Sequence, residues 1–200
     1  FANSARAGRM EVFTENALDA DRLAFLANET YTRTRAWLQP ANPAKTFPLR
    51  IYICASLDRI YQLEEYHRIP RSDKVKNRTF AFRGGYYSRN YIIMLPQLES
   101  IADLEWNICH ETAHAVFEEV AGQSYDVFNE GFADLVAYWT LHQPGKPSPQ
   151  ENHARQGSME TRLAKAHGTA EMWPLRDLLF RNYWQFRDEK LDWLAFALSW

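Results

Sequence analysis

The hydrophobic pattern of this chain changes period once, at Pro96, and that switch limits the folds open to it. Before Pro96, alternating runs are interleaved with helical ones. Met10–Thr14 alternates as a short strand, and residues 19–38 space Leu23, Leu26, Ala27, Tyr31 and Trp37 as a helix that Pro40 and Pro43 break. In residues 47–55, Leu49, Ile51 and Ile53 alternate with Arg50 and Tyr52 as a strand, and Ser56 is suited to cap a helix reaching about Tyr66. Residues 78–83 and 90–95 read as two strands joined across Gly84-Gly85, with Tyr86 and Tyr87 in or near the turn. From Leu98 onward the spacing is helical, with loops at 122–128 and 144–149. Mixed elements followed by helices alone predict an α+β fold. Residues 1–97 would hold a small mixed sheet with a hairpin edge and helices on one side, and residues 98–200 an all-helical part.

Composition fits a single folded domain over residues 1–200. At 46% hydrophobic, 14% aromatic and a net charge of −2, the chain is neither disordered nor collagen-like, and it lacks the basic footprint of a nucleic-acid binder. No apolar run of about eighteen residues is present, so no membrane span is expected. Cys54 and Cys109 are the only cysteines and read as two buried thiols before they read as a bridge. Trp37, Trp106, Trp139, Trp173, Trp184 and Trp193 read as core rings, and His67 and His142 as surface residues. The chain starts at Phe1 rather than Met and ends in an apolar helical run through Leu194, Phe196, Leu198 and Trp200 without a polar cap. The expectation is therefore a processed piece of a longer protein.

Residues 104–120 carry the chemistry. Trp106, Cys109, Ala113, Val116, Phe117 and Val120 form a core-facing stripe, and beside it lie His110 and His114, about 40° apart around the axis. With Glu111 between them they make a His-Glu-x-x-His pattern. Two imidazoles one turn apart can reach one Zn²⁺ at about 2.0–2.1 Å, while the carboxylate, rotated by about 100°, reaches the water that the metal activates. Downstream, Asn129-Glu130-Gly131-Phe132-Ala133-Asp134 opens a second helix with Glu130 and Asp134 on one face. Glu130 can supply the third ligand and leave the fourth position to water. Asp134 can accept the outer N–H of a ligating histidine and fix its tautomer. Asn129 stands at the head of that helix, as its N-cap or as a further group supporting the ligands.

These two segments resemble the gluzincin metallopeptidases, the group that contains thermolysin and the zinc aminopeptidases, and in particular its small peptidase-like domains in exported bacterial proteins. The resemblance covers about residues 107–139. It implies a zincin-like fold with one zinc ion on His110, His114 and Glu130, Glu111 as general base, and Asp134 behind His110. The sequence departs from the larger members in a shorter gap between His114 and Glu130 and in lacking a Gly-x-Met-Glu-Asn segment, so endopeptidase activity is expected over exopeptidase activity. The family draws its oxyanion donor from a later His or Tyr. Here Tyr138, His153 and His167 are candidates, with Tyr125 and Tyr183.

The expected function is zinc-dependent hydrolysis of peptide bonds in a peptide or protein, in a secreted, periplasmic or cell-surface setting. A peptide could add to the hairpin edge as an extra strand, although that hairpin reads equally well as plain core sheet. The alternative is a non-catalytic zinc-binding or partner- or glycan-binding domain that keeps the zincin fold; Glu111 argues against it, because a structural site needs no base. A zinc hydrolase of a non-peptide amide is a third reading.

Overall fold

The computed structural model describes residues 1–40, 43–44, 46–68, 84–88, 90–95, 101–122 and 126–141. Among these it is an α+β protein. The elements run β1 (Asn3–Ala7), β2 (Met10–Thr14), α1 (Ala20–Leu38), β3 (Leu49–Ile53), α2 (Leu57–Tyr66), β4 (Gly84–Ser88), β5 (Tyr91–Leu95), α3 (Ile101–Ala121) and α4 (Asp126–Leu141). The strands form one mixed sheet in the order β1-β2-β3-β5-β4. Its centre is parallel, β2 with β3 and β3 with β5, and both outer pairs are antiparallel.

Local chemistry accounts for the helix ends. The Asp19 carboxylate accepts the Arg22 N–H at 3.0 Å and caps α1, whose last turn closes where Gln39 turns left-handed. Ser56 caps α2 in the same way, accepting from the Arg59 N–H at 3.3 Å. The α1 side chains Leu23, Ala24, Ala27 and Tyr31 recur at helical spacing and are buried.

The alternation of the strands sorts their side chains between two unlike faces. Met10, Val12, Leu49, Ile51, Ile53, Ile92 and Met94 form an aliphatic face under α1 and α3. Tyr52, Tyr86, Ile93 and Leu95 point the other way, onto Ile60 and Leu63 of α2. Helices therefore cover both faces, whereas the sequence pattern placed them on one. The reason is that β3 and β5 bury residues of both parities, so their alternation does not reveal a wet side.

The hairpin also differs from its expected form. Gly84-Gly85 begins strand β4 rather than a turn, and Tyr86 and Tyr87 lie within the strand, with Tyr86 opposite Ile93 and Tyr87 opposite Ile92. The expected strand at 78–83 lies outside the described residues. At the opposite edge β1 is an element the sequence pattern did not predict.

Of the tryptophans, Trp106 is core, but Trp37 and Trp139 are 49% and 44% exposed and meet edge to face at 4.8 Å. Trp173, Trp184, Trp193 and the terminal apolar run lie outside the described residues. Among the described residues, no helix is long and apolar enough to cross a membrane. Both cysteines are free and buried, and burial pushes each thiol up to about 12.

Candidate metal centre

Among the described residues, helix α3 packs against the sheet, α1 and α4. Leu104, Ile108, Ala115 and Val116 meet the sheet. Trp106 and Cys109 meet Leu26 of α1 and Ala137 of α4. Ala113 meets Phe132, Ala133 and Val136 of α4. A strip through His110, Glu111, His114 and Glu118 faces a cleft. Gly122, at φ 72°, ends α3 in a left-handed conformation that suits glycine, and its N–H closes the last turn on Glu118 O. The chain then returns as α4, and small residues at the interface, Ala113 and Ala133, let the two helices approach closely.

That return brings the carboxylates of α4 onto the histidines of α3. His110 Nδ1 is 2.9 Å from Asp134 Oδ1, and His114 Nδ1 is 2.8 Å from Asn129 Oδ1. A carboxylate and an amide oxygen can only accept, so each Nδ1 donates and each imidazole turns its Nε2 lone pair inward. The two Nε2 atoms stand 3.0 Å apart. Glu130 completes the group, with its oxygens 3.3 Å from His110 Nε2 and 3.7 Å from His114 Nε2. His110, His114 and Glu130 can thus offer one ligand atom each to a single metal ion.

The electrostatics of the group ask for a cation. Burial alone would lower the affinity of His110 for a proton. The hydrogen bonds and charges of Asp134 and Glu130 outweigh it and raise His110 well above the ordinary histidine range. Two inward lone pairs at 3.0 Å beside a carboxylate repel unless a proton or a metal ion lies between them.

Glu111 is buried on the same strip and faces strand β4. A methyl group placed on Gly85 would lie 2.9 Å from Met94 Cγ, 3.2 Å from the Ile93 carbonyl and 3.4 Å from Glu111 Cγ. The glycine therefore lets the strand backbone lie against the carboxylate-bearing side chain. The cleft measures about 270 Å³, and Tyr86, Tyr87 and Glu118 close its other walls.

The expected site residues His110, Glu111, His114, Asn129, Glu130 and Asp134 are all brought together. Asn129 sits inside the first turn of α4 rather than at its cap, because the helix begins at Asp126. Tyr138 packs against the cluster of Leu26, Trp106, Cys109 and Ala137 and is not among the described residues lining the cleft. Tyr125, His142, His153, His167 and Tyr183 lie outside the described residues. His67 is no lone surface residue: its Nε2 is 2.9 Å from the Tyr52 hydroxyl, on the sheet face opposite the cleft. Sequence reasoning missed Glu118, which the helical period could have found four residues after His114, and Gly85, which only tertiary contact reveals.

Compared with protein-family models, curated proteins and solved structures, the chain matches none. The site must speak from its own geometry.

Proposed function

We propose that this chain is a zinc-dependent peptidase, of endopeptidase type, in which His110, His114 and Glu130 hold the metal and Glu111 is the general base. One observation carries the reading: the inward-facing Nε2 atoms of His110 and His114, 3.0 Å apart with a Glu130 oxygen 3.3 Å from the first. Ligand atoms about 2.05 Å from a tetrahedral zinc ion are separated by about 3.3 Å; the two Nε2 atoms at 3.0 Å and His110 Nε2 to Glu130 Oε2 at 3.3 Å come close to that value, and one ligand atom from each of the three residues lies within 4.8 Å of the others. Two histidines and one glutamate also form the open kind of site that leaves a position for reactants.

When bound, zinc supplies Lewis acidity toward a carbonyl and makes water a nucleophile near neutral pH. The chain's own residues do the rest. Asp134 and Asn129 hold the two imidazoles in the ligating tautomer. The Glu111 carboxylate, one residue along the helix from His110, accepts the proton of the attacking water and delivers it to the leaving amine nitrogen. Among the described residues β4 beside it is the edge of the sheet, along which an extended peptide can lie.

The Glu111→Gln variant tests the assignment. After reconstitution with zinc it should keep the metal content of the native chain and lose about a thousandfold in cleavage of a mixed peptide library. Unchanged turnover in that variant removes Glu111 from its role. A native protein that takes up no zinc removes the whole reading.

A further inference from the structure

The cleft contains one carboxylate that the proposed chemistry does not use. Glu118 is on α3, seven residues after Glu111 and four after His114, and lines the same cleft. Its neighbour across the cleft is Tyr87 of β4, whose hydroxyl is raised by burial first and then by the charge and hydrogen bond of Glu118. Among the described residues lining the cleft there is no lysine or arginine. A divalent ion offsets Glu130 and Asp134, and Glu111 is occupied with the reacting proton. The charge of Glu118 is left facing the cleft at an exposed position, and Arg9, whose charge reaches Tyr87, is itself bound to Glu119 at 2.8 Å.

We infer that Glu118 selects a cationic side chain, lysine or arginine, in the substrate. This deepens the peptidase reading and rests on it. A rise of 1.5 Å per residue places Glu118 about 6 Å along α3 from His114. An extended peptide covers that distance in about two residues. The side chain that Glu118 reads is therefore within two residues of the bond that is cleaved. Tyr87 keeps the carboxylate at the strand side of the cleft, where a peptide lying along β4 passes.

The test uses zinc-loaded native protein and two probes. Titration calorimetry with short peptide hydroxamates should show the lysine form binding about tenfold more tightly than its norleucine counterpart. That preference disappears in Glu118→Gln and turns toward a glutamate side chain in Glu118→Lys, with zinc content unchanged in both. Equal affinities in the native protein, or a lysine preference that survives Glu118→Gln, overturn the inference. In the second arm, a quenched-fluorescent peptide library should be cut fastest where lysine or arginine occupies one fixed position. A lysine preference in binding without cleavage of any peptide sustains the role of Glu118 and removes the peptidase reading. Absence of hydroxamate binding removes both.

Discussion

Helix α3 carries two buried polar clusters, and they are built on opposite plans. Near its C-terminal end Glu119 is paired with Arg9 at 2.8 Å and with Arg35, and it accepts a hydrogen bond from the Tyr31 hydroxyl at 2.9 Å. The Arg9 guanidinium also lies 4.8 Å above the Tyr31 ring. The chain provides both signs of charge there, and the cluster ties α3 to α1 and to the turn between β1 and β2. Around His110 and His114 the described residues lining the cleft include acids and lone pairs but no lysine or arginine. Both clusters are desolvated, so each needs its charges balanced. In the first the carboxylate meets cations of the chain itself, whereas in the second a proton or a metal ion would supply the positive charge. That contrast separates a fastening from a candidate binding site more sharply than burial does, since the side chains of His110, His114 and Asp134 are about as buried as those of Arg9 and Arg35.

The largest expected effect falls on the fastening. Glu119→Ala removes the carboxylate shared by the buried guanidiniums of Arg9 and Arg35, at a cost of about 3–5 kcal/mol. The melting temperature should fall by about 10 °C or more. The fall should be the same with and without zinc, because this cluster owes nothing to the metal. Thermal unfolding of both forms checks it, and a loss below about 1 kcal/mol would show that the network is ornamental.

The same contrast explains what could be read from the sequence. The grouping of His110, His114 and Glu130 was legible because helical geometry turns a spacing of four residues into a shared face without reference to the rest of the fold. The return of α4 after Gly122 was legible for the same reason. The Glu119 cluster was not, since Arg9, Tyr31 and Arg35 are brought to it from distant parts of the chain. Strand β1 escaped because it is an edge strand held by backbone bonds to β2, and its side chains from Asn3 to Ala7 are mostly exposed. Gly84-Gly85 suggested a turn because glycine usually serves turns. In the structure Gly85 makes room for Glu111 and Met94, a reason that exists only in three dimensions. Tyr87 and Glu118 meet for the same kind of reason.

The metal centre should respond to zinc and to pH in ways the Glu119 cluster does not. Zinc at a thousandfold excess over its dissociation constant should add about 4 kcal/mol, and His114→Ala should abolish the gain. In the zinc-free protein, burial opposes the charge on His110, but Asp134 and Glu130 prevail and raise its proton affinity. A raised histidine stabilises the folded chain fully below about pH 6.5, the unfolded value, and that contribution is lost as pH rises through the folded value. Zinc competes with the same proton, so its affinity should weaken by up to about tenfold per pH unit below the raised value. Zinc-free stability should therefore decline with rising pH while the gain from zinc increases. Unfolding curves at several pH values, with and without zinc, test both slopes. Parallel slopes would mean that proton and metal do not share the site.

The smallest effect tests how closely the sheet edge and the proposed base depend on each other. Gly85→Ala adds a methyl group 2.9 Å from the flexible Met94 Cγ and 3.4 Å from Glu111 Cγ. Met94 can yield only partly, because it is fully packed under α3, so a cost of about 1 kcal/mol is expected. The remaining strain is passed to the Glu111 side chain, and a carboxylate displaced by a fraction of an ångström transfers its proton less well. Zinc content should be unchanged, because no ligand touches Gly85. Turnover should fall about tenfold at unchanged KM, the mark of a step after binding. If KM rises instead while turnover holds, the strand at Gly85 contacts the substrate and leaves the base alone. Either result separates a strand that positions the proposed base from one that contacts the substrate.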